Sequence, residues 1–470
     1  MPVIKTWQLA AGATVVGLAL AAGAVAAAGP WDSGQRKAER DWAADRAPGG
    51  GADHRASEGK RVAPPAPAVL TALGSAAGAA APGRAAPVPA AGLAPELGRL
   101  LRDRGLGPVR AASVVDMTTG REVYGTRSGA SMIPASTTKI ATTVAALSAL
   151  GPDHRIPTTV VASGKGAGTV VTLVGGGDAS LDGARLGKLA DRTASALRAA
   201  GPAPVRLAYS TSLYRGRELH PIGVNGNLAH VTPLMVDQGR LDPRSTGSAE
   251  RSGDPAGDAA RAFGRLLEAR GVALAAGAPA RRAPAPGARQ LAEVLSPPVS
   301  ELVERTLTES DNDIAESLAR QTAIATGEEA SFAGAGRAVK KQLARLKVPL
   351  AGTNFADGSG LDRADRVSAR LLTALLARAA EQGRPGLRPV LTGLPVAGFS
   401  GTLDSRYPAT SPGAGLVRAK TGTLTGVNSL SGTVVAPDGR LLAFAFLADR
   451  TTSRDDAQLA LDRLAAALVS

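Results

Sequence analysis

The sequence predicts an α+β fold: an antiparallel sheet with helices before and after it, split by a long middle segment. Three observations carry that. A hairpin lies near the C-terminus, "GVNSLSGTVVA", the turn "PDG", then "RLLAFAFLAD", and the helix "SRDDAQLALDRLAAALVS" follows it. A second strand pair, joined by a Thr-Thr-Gly turn, lies far upstream in "GPVRAASVVDMTTGREVYGTRSG". Between the two pairs, segments with helical apolar spacing alternate with a middle passage of different texture.

Taken in order, the chain opens with Lys5 ahead of a charge-free, almost wholly apolar run from Leu9 to Gly29. The single positive charge, the apolar stretch and the small-residue end "AVAAAG" mark residues 1–29 as a secretory signal, with Ala24-x-Ala26 and Ala26-x-Ala28 as cleavage frames. Its length of about 20 residues also suits an uncleaved signal-anchor. The expectation is an exported protein, secreted or held at the outer face of the membrane through this segment. Residues 30–92 are Ala, Pro, Gly and mixed charges. They have too little apolar area to offset chain ordering, so they read as a disordered linker.

Folding is expected to begin at "LAPELGRLLRDRGL", where Leu93, Leu97, Leu100 and Leu101 have helical spacing. The upstream strand pair follows, then a helix from about Thr137 to Leu150, closed by Gly151-Pro152. The middle passage contains a strand-like "GTVVTLVGGGD", the helix "ARLGKLADRTASALRAAG", the strand "PVRLAYSTSL", and a helix with Ala260, Phe263, Leu266 and Leu267 on one face. The last third reads as helices ("VSELVERTLTESDNDIAESLARQTAIAT", "AVKKQLARLKV", "SARLLTALLARAAEQG") and then the terminal hairpin.

Composition narrows the chemistry. There are no cysteines, so thiol chemistry is excluded, and a domain this large needs no disulfides. The four histidines, His54, His154, His220 and His230, include no ligand-spaced pair, which demotes zinc sites and Ser-His-Asp triads. No metal or cofactor is expected. The net charge of +14 comes with only 3% aromatics and no recognition motif, so nucleic acid is not the expected partner. The excess positive charge suits anionic envelope polymers or lipid headgroups.

Three short motifs carry the chemistry. In "MIPASTTKIATT", Ser136 and Lys139 lie three apart at the mouth of a helix, on one face. There an alkoxide would feel the N-terminal amides, and a lysine of lowered basicity could take the hydroxyl proton. Alone the pair proves little: Ser136 would also serve as a plain N-cap, and the linker holds the same spacing at Ser57 and Lys60. Ser310-Asp311-Asn312 sits in a helical region where such residues are poor helix formers, either as a site or as a turn between two helices. Lys420-Thr421-Gly422-Thr423 opens the final strands as an edge strand would, either gripping a carboxylate or simply ending a strand. The order Ser-x-x-Lys, Ser-Asp-Asn, Lys-Thr-Gly is the set found in penicillin-binding proteins and class A β-lactamases.

With these motifs, the chain from about Leu93 to Leu468 resembles the low-molecular-mass class C penicillin-binding proteins, the D-alanyl-D-alanine carboxypeptidase/endopeptidase family. "LVGGGDASL", "DGSGLDR", "LPVAGFSGTL" and "VRAKTGTLTGV" agree with it, and Asp362 departs from it where a serine is usual. The resemblance implies a penicillin-binding/β-lactamase-like transpeptidase fold with an inserted domain after the first motif. The catalytic domain would comprise 93–155 and 296–470, and the insertion 156–295. It implies Ser136 as nucleophile, Lys139 as general base, and Ser310 as proton relay to the leaving amine. Lys420 would keep the local field positive, and Asn312 would hold the acyl side chain and orient Lys139. Thr421, Gly422 and Thr423 would form the substrate-binding strand, with the hydroxyls of Thr421 and Thr423 on the terminal carboxylate. The amides of Ser136 and Thr423 would form the oxyanion hole. Substrates would be peptidoglycan stem peptides, and β-lactams would inhibit by acylating Ser136. Two alternatives are a serine β-lactamase, for which no Glu-x-x-x-Asn element follows Asn312, and a membrane-tethered β-lactam or muropeptide sensor.

Overall fold

The computed structural model describes residues 93–469 apart from Pro202. The signal or anchor segment, the linker and the Ser57/Lys60 spacing lie outside the described residues. Helix α1 (Leu93–Leu100) leads into strands β1 (Val109–Asp116) and β2 (Glu122–Thr126), and then into helix α2 (Thr138–Leu150). The chain closes with β8 (Arg418–Leu424), β9 (Val427–Val435), β10 (Leu441–Asp449) and a last helix, α10 (Arg454–Ala466). These strands form one antiparallel sheet in the order β2-β1-β10-β9-β8, as the α+β reading requires.

The terminal hairpin lies inside this sheet, and the β10 sequence shows why. Successive strand residues face opposite sides. Ala443, Ala445 and Leu447 pack on one side against Ile140 and Val144 of α2. Leu442, Phe444 and Phe446 pack on the other against Leu97 of α1 and Leu461 and Leu464 of α10. Phe444 and Phe446, two apart, stack with centroids 5.3 Å apart. An unbroken apolar run is therefore what a strand covered on both faces needs. Lys420 belongs to β8, which is the sheet's edge.

Between α2 and the last strands runs a second sheet, built from β3 (Arg155–Ser163), β4 (Val170–Val174), β5 (Arg206–Ser210), β6 (Ala280–Arg281) and β7 (Arg289–Pro298). Its order is β6-β5-β4-β3-β7: β4, β5 and β6 run parallel, and β3 is antiparallel to β4 and β7. Helices α3 (Gly183–Ala199) and α4 (Pro255–Glu268) cover it through Leu186, Leu189, Phe263 and Leu267. The sequence reading anticipates β4, β5, α3 and α4 but not β3 or β7. Pro157 interrupts β3 and Pro297-Pro298 end β7, and prolines demote a segment as a strand. The ladder between them shifts register between Arg155 and Pro157, so these prolines are accommodated at an irregularity. Arg155 pairs with Pro298, so the excursion leaves and re-enters at adjacent points.

After β7 come α5 (Val299–Thr308), α6 (Asn312–Ala325), α7 (Phe332–Arg345), α8 (Ala369–Ala380) and the short α9 (Pro389–Thr392). The expected run across "VSELVERTLTESDNDIAESLARQTAIAT" is thus two helices. It breaks at Ser310, whose φ is +59°, and Asp311 caps α6 by accepting from the Ile314 amide.

Phe263 is fully buried at the centre of the second sheet's core. Phe263→Ala is expected to lower stability by about 3–5 kcal/mol, measured by denaturant unfolding. A loss below about 1 kcal/mol would mean that the site collapses without a cavity.

Candidate active site

Ser136 stands in a single 3-10 turn, Ala135–Thr137, immediately before α2. It is not an N-cap: Thr137 occupies that position, and the Ser136 hydroxyl meets Lys139 instead. The turn is strained and held from outside. Ala135 has φ +48°, a region that side chains other than glycine rarely adopt. The Pro134 carbonyl accepts from both Thr137 Oγ1 and Ser429 Oγ at 2.7 Å, fastening the turn to β9. Two glycines allow neighbouring backbone to come this close. A Cβ on Gly360 would lie 2.0 Å from the Ala135 carbonyl, and one on Gly422 would lie 2.7 Å from Pro134 O and 3.1 Å from Ser136 N. Strand β8 therefore passes directly beside the Ser136 amide.

Lys139 is fully buried, and its Nζ has three partners: Ser136 Oγ at 3.0 Å, Asn312 Oδ1 at 2.7 Å and the Ser359 carbonyl at 2.6 Å. The last two can only accept. In the neutral amine, two N–H groups satisfy those carbonyls and the lone pair is left pointing at the serine hydroxyl. Burial pulls Lys139 down to about 8, against the opposing pull of Asp357, Glu316, Asp311 and Asp365. The amine is therefore a usable base near neutral pH.

The α5–α6 break brings Ser310 and Asn312 to the same cavity as Ser136. Asn312 bridges two parts of the chain: Oδ1 takes Lys139, and Nδ2 donates to the Asn227 carbonyl at 2.8 Å. Gln238 Nε2 donates to Asp311 at 2.6 Å, and Arg305 pairs with it at 3.2 Å. Next to it, burial and Asp311 raise Asp313 to about 7, although Arg251 and the Ala229 amide bind its carboxylate.

On β8, Lys420 is fully buried and donates to the carbonyl of its neighbour Thr421 at 2.9 Å. Burial, reinforced by the charge of Lys139, pushes it well below the ordinary lysine range, and among the described residues no carboxylate pairs with it. The expected standing positive charge is thus disfavoured at Lys420 by its own surroundings. Thr421 Oγ1 donates to Thr402 Oγ1 at 2.8 Å, and Gln458 Nε2 donates to Thr423 Oγ1 at 3.3 Å. Ser136, Ser310, Asn312, Thr421 and Thr423 line one open cavity of about 1110 Å³.

Against known proteins, a sequence model of the D-Ala-D-Ala carboxypeptidase 3 (S13) family matches residues 93–250 and 238–468. Carboxypeptidase Rv3627c of Mycobacterium tuberculosis is 37% identical over 381 residues, covering 77% of this chain and 80% of its own. Carboxypeptidase DacB of Mycolicibacterium smegmatis is 37% identical over 435 residues, covering 88% and 91%. The chain belongs to the D-Ala-D-Ala carboxypeptidase 3 (S13) family. It is a serine-type D-Ala-D-Ala carboxypeptidase. The fold agrees: penicillin binding protein 4 (dacB) of Haemophilus influenzae, solved in complex with a β-lactam, superposes with a TM-score of 0.63 at 22% identity. The match covers 80% of this chain and 99% of that one.

Sequence reasoning about this carboxypeptidase missed residues that support the motifs. Thr402 lies in the quoted "LPVAGFSGTL", so a signal for it existed. Asp357 and Ser359 lie in "DGSGLDR", and Asp357 accepts from the Gly360 amide at 2.6 Å, Ser359 Oγ at 3.0 Å and the Asp362 amide at 2.8 Å. The departure at Asp362 is accommodated locally: its carboxylate accepts from the Ala364 amide at 2.8 Å in a tight turn. His220 had no signal: it is buried, and its Nε2 lies 2.9 Å from Asp357. His220, Glu316 and Asp357 place ligand-type atoms within 4.8 Å of one another. They make a poor cation site, because Lys139 and Arg320 already bring positive charge there, and Glu316 Oε1 accepts the Gly358 and Ser359 amides.

Two outcomes are expected. If Ser136 is the nucleophile and Lys139 its base, acylation should fall about tenfold per pH unit below about 8 and level off above it, because only a neutral amine accepts a proton; a flat profile from about pH 6 to 9 would remove Lys139 as the base. Gly422→Ala should cut kcat about 100-fold by shifting β8 against the Ser136 turn and lower stability by about 1–3 kcal/mol through overpacking; wild-type kcat would mean that β8 does not set the turn.

Proposed function

We propose that the carboxypeptidase cleaves the terminal D-Ala-D-Ala bond of peptidoglycan stem peptides through an acyl-enzyme on Ser136. The observation that carries this reading is the Lys139 amine, 3.0 Å from the Ser136 hydroxyl and oriented by two carbonyl acceptors. Lys139 takes the hydroxyl proton as Ser136 Oγ attacks the carbonyl carbon. The amides of Ser136 and Thr423 receive the developing oxyanion, where preorganised donors stabilise the transition state most. Ser310 passes the proton to the departing D-alanine amine, and water then releases the acyl group. Cross-link cleavage uses the same steps on a longer leaving group.

The terminal carboxylate is assigned to Thr421 and Thr423. Its arrival alongside Lys420 supplies the anion that the buried lysine lacks, so substrate binding favours the charged form of Lys420. β-Lactams react as substrate mimics whose ring-opened product stays on Ser136, in keeping with the β-lactam complex of the Haemophilus protein. Residues 156–295 are read as an inserted domain whose loops form one wall of the cavity. Action on peptidoglycan supports a location outside the cytoplasm, where that polymer is. Among the described residues no helix is long and apolar enough to cross a membrane, and the N-terminal segment is read as a signal that is either cleaved or kept as an anchor.

The test is intact mass of the purified protein with benzylpenicillin. A long-lived adduct is expected, absent from Ser136→Ala. Turnover without an adduct would favour a β-lactamase, and no reaction would overturn the proposal.

A further inference from the structure

The buried polar cluster behind Lys139 includes one residue that no motif contains. His220 comes from the long connection between β5 and α4 and is 1% exposed. The Ile222 amide donates to its Nδ1 at 3.2 Å, so the ring proton is on Nε2 and points at Asp357 Oδ2, 2.9 Å away. The edge of Phe332 packs on this ring with centroids 5.2 Å apart, and the Arg320 guanidinium lies 4.1 Å from the Phe332 centroid.

Asp357 is the hub of the turn that carries Ser359. Its Oδ2 takes His220, Ser359 Oγ and the Asp362 amide, and its Oδ1 takes the Gly360 amide. That turn supplies the Ser359 carbonyl, the acceptor closest to Lys139 Nζ, and Gly360, which abuts the Ser136 turn. The other charged groups facing the pair are Glu316 and Arg320 from α6, Lys139 from α2 and Asp365 from the following loop.

We propose that His220 is a positioning residue for acyl transfer: through Asp357 it fixes the Ser359 carbonyl and thereby aims the Lys139 amine at Ser136. This rests on the reaction proposed above and extends it to a residue of the inserted segment. Burial would raise Asp357, but the hydrogen bond and the electrostatic pull of His220, followed by the Gly360 and Asp362 amides, bring it down to about 2. Without the His220 donor that balance changes beside Lys139.

The test uses the full chain and the second-order rate of acylation by benzylpenicillin across pH, per titratable active site. His220→Leu removes the donor, and His220→Gln keeps an N–H near the position of Nε2. His220→Leu is expected to acylate about 10- to 100-fold more slowly, the effect of losing a buried hydrogen bond to a charged group. The limb set by Lys139 is expected to move by at least about half a pH unit, roughly a threefold change in its protonation equilibrium. His220→Gln should stay within a few-fold of wild type with an unmoved limb. A residue that only held the fold would reduce the number of titratable sites and leave the limb of the remainder in place.

Wild-type rate and limb in His220→Leu overturn the proposal, as does an equal loss in His220→Gln. If His220→Leu does not fold, His220→Met carries the test by the same readouts: a slower rate with a displaced limb supports the proposal, and wild-type values overturn it. Absence of acylation in the wild type would instead sink the reaction proposed for Ser136.

Discussion

The site depends on keeping one lysine dry. Lys139 lies on the first turn of α2, and nothing of its side chain reaches solvent. Isolated in that position, an ammonium would be heavily penalised. Two carbonyl acceptors and the field of buried carboxylates limit the penalty without abolishing it, and the remainder sets the basicity needed for proton transfer. The surrounding parts keep this balance in place: Asn312 from the α5–α6 break, Ser359 from the glycine-rich turn, and Glu316 and Asp365 behind them.

The three motifs were legible because each has its own local reason. Ser136 and Lys139 share a helix face, Ser310-Asp311-Asn312 resists helix, and Lys420-Thr421-Gly422 precedes an apolar hairpin. The main sheet was legible for the same reason, since β9 and β10 are apolar enough to be buried on both faces. Two kinds of information were not local. Strands β3 and β7 carry prolines at their margins, which masked them, although β3 alternates buried and half-buried residues as a strand covered on one face does. His220 is 137 residues from Asp357, and a lone histidine between Leu219 and Pro221 gives no hint of its partner. The Ser310 break was visible only as a conflict: a turn and a site were weighed as rival explanations, and one backbone feature serves as both.

The second sheet and its loops are not a passive appendage. The Gly176 carbonyl accepts from Gln321 at 2.7 Å, and the Asn227 carbonyl accepts from Asn312 at 2.8 Å. Arg251 lies 3.1 Å from Asp313, both side chains nearly buried, and the ion pair is complete where Asp313, raised to about 7, is ionised. Helix α6 is thus held on one side by α2 and on the other by the middle of the chain. Removing either partner of a buried pair of that kind leaves an uncompensated charge, so the two halves are strongly tied together.

The placement of β1 has a further consequence, for the order in which the molecule is made. Val109, near the start of the folded region, pairs with Asp449, near its end, and β1 lies between β2 and β10. The central ladder therefore cannot close until the last two strands have been synthesised, and pairings of such long sequence separation are slow to form. The Ser136 turn is fastened to β9 and flanked by β8, so the reactive geometry has no earlier chance to exist. A nascent chain has its serine and its lysine long before it has the site around them, which is incomplete until β8, β9 and β10 are in place.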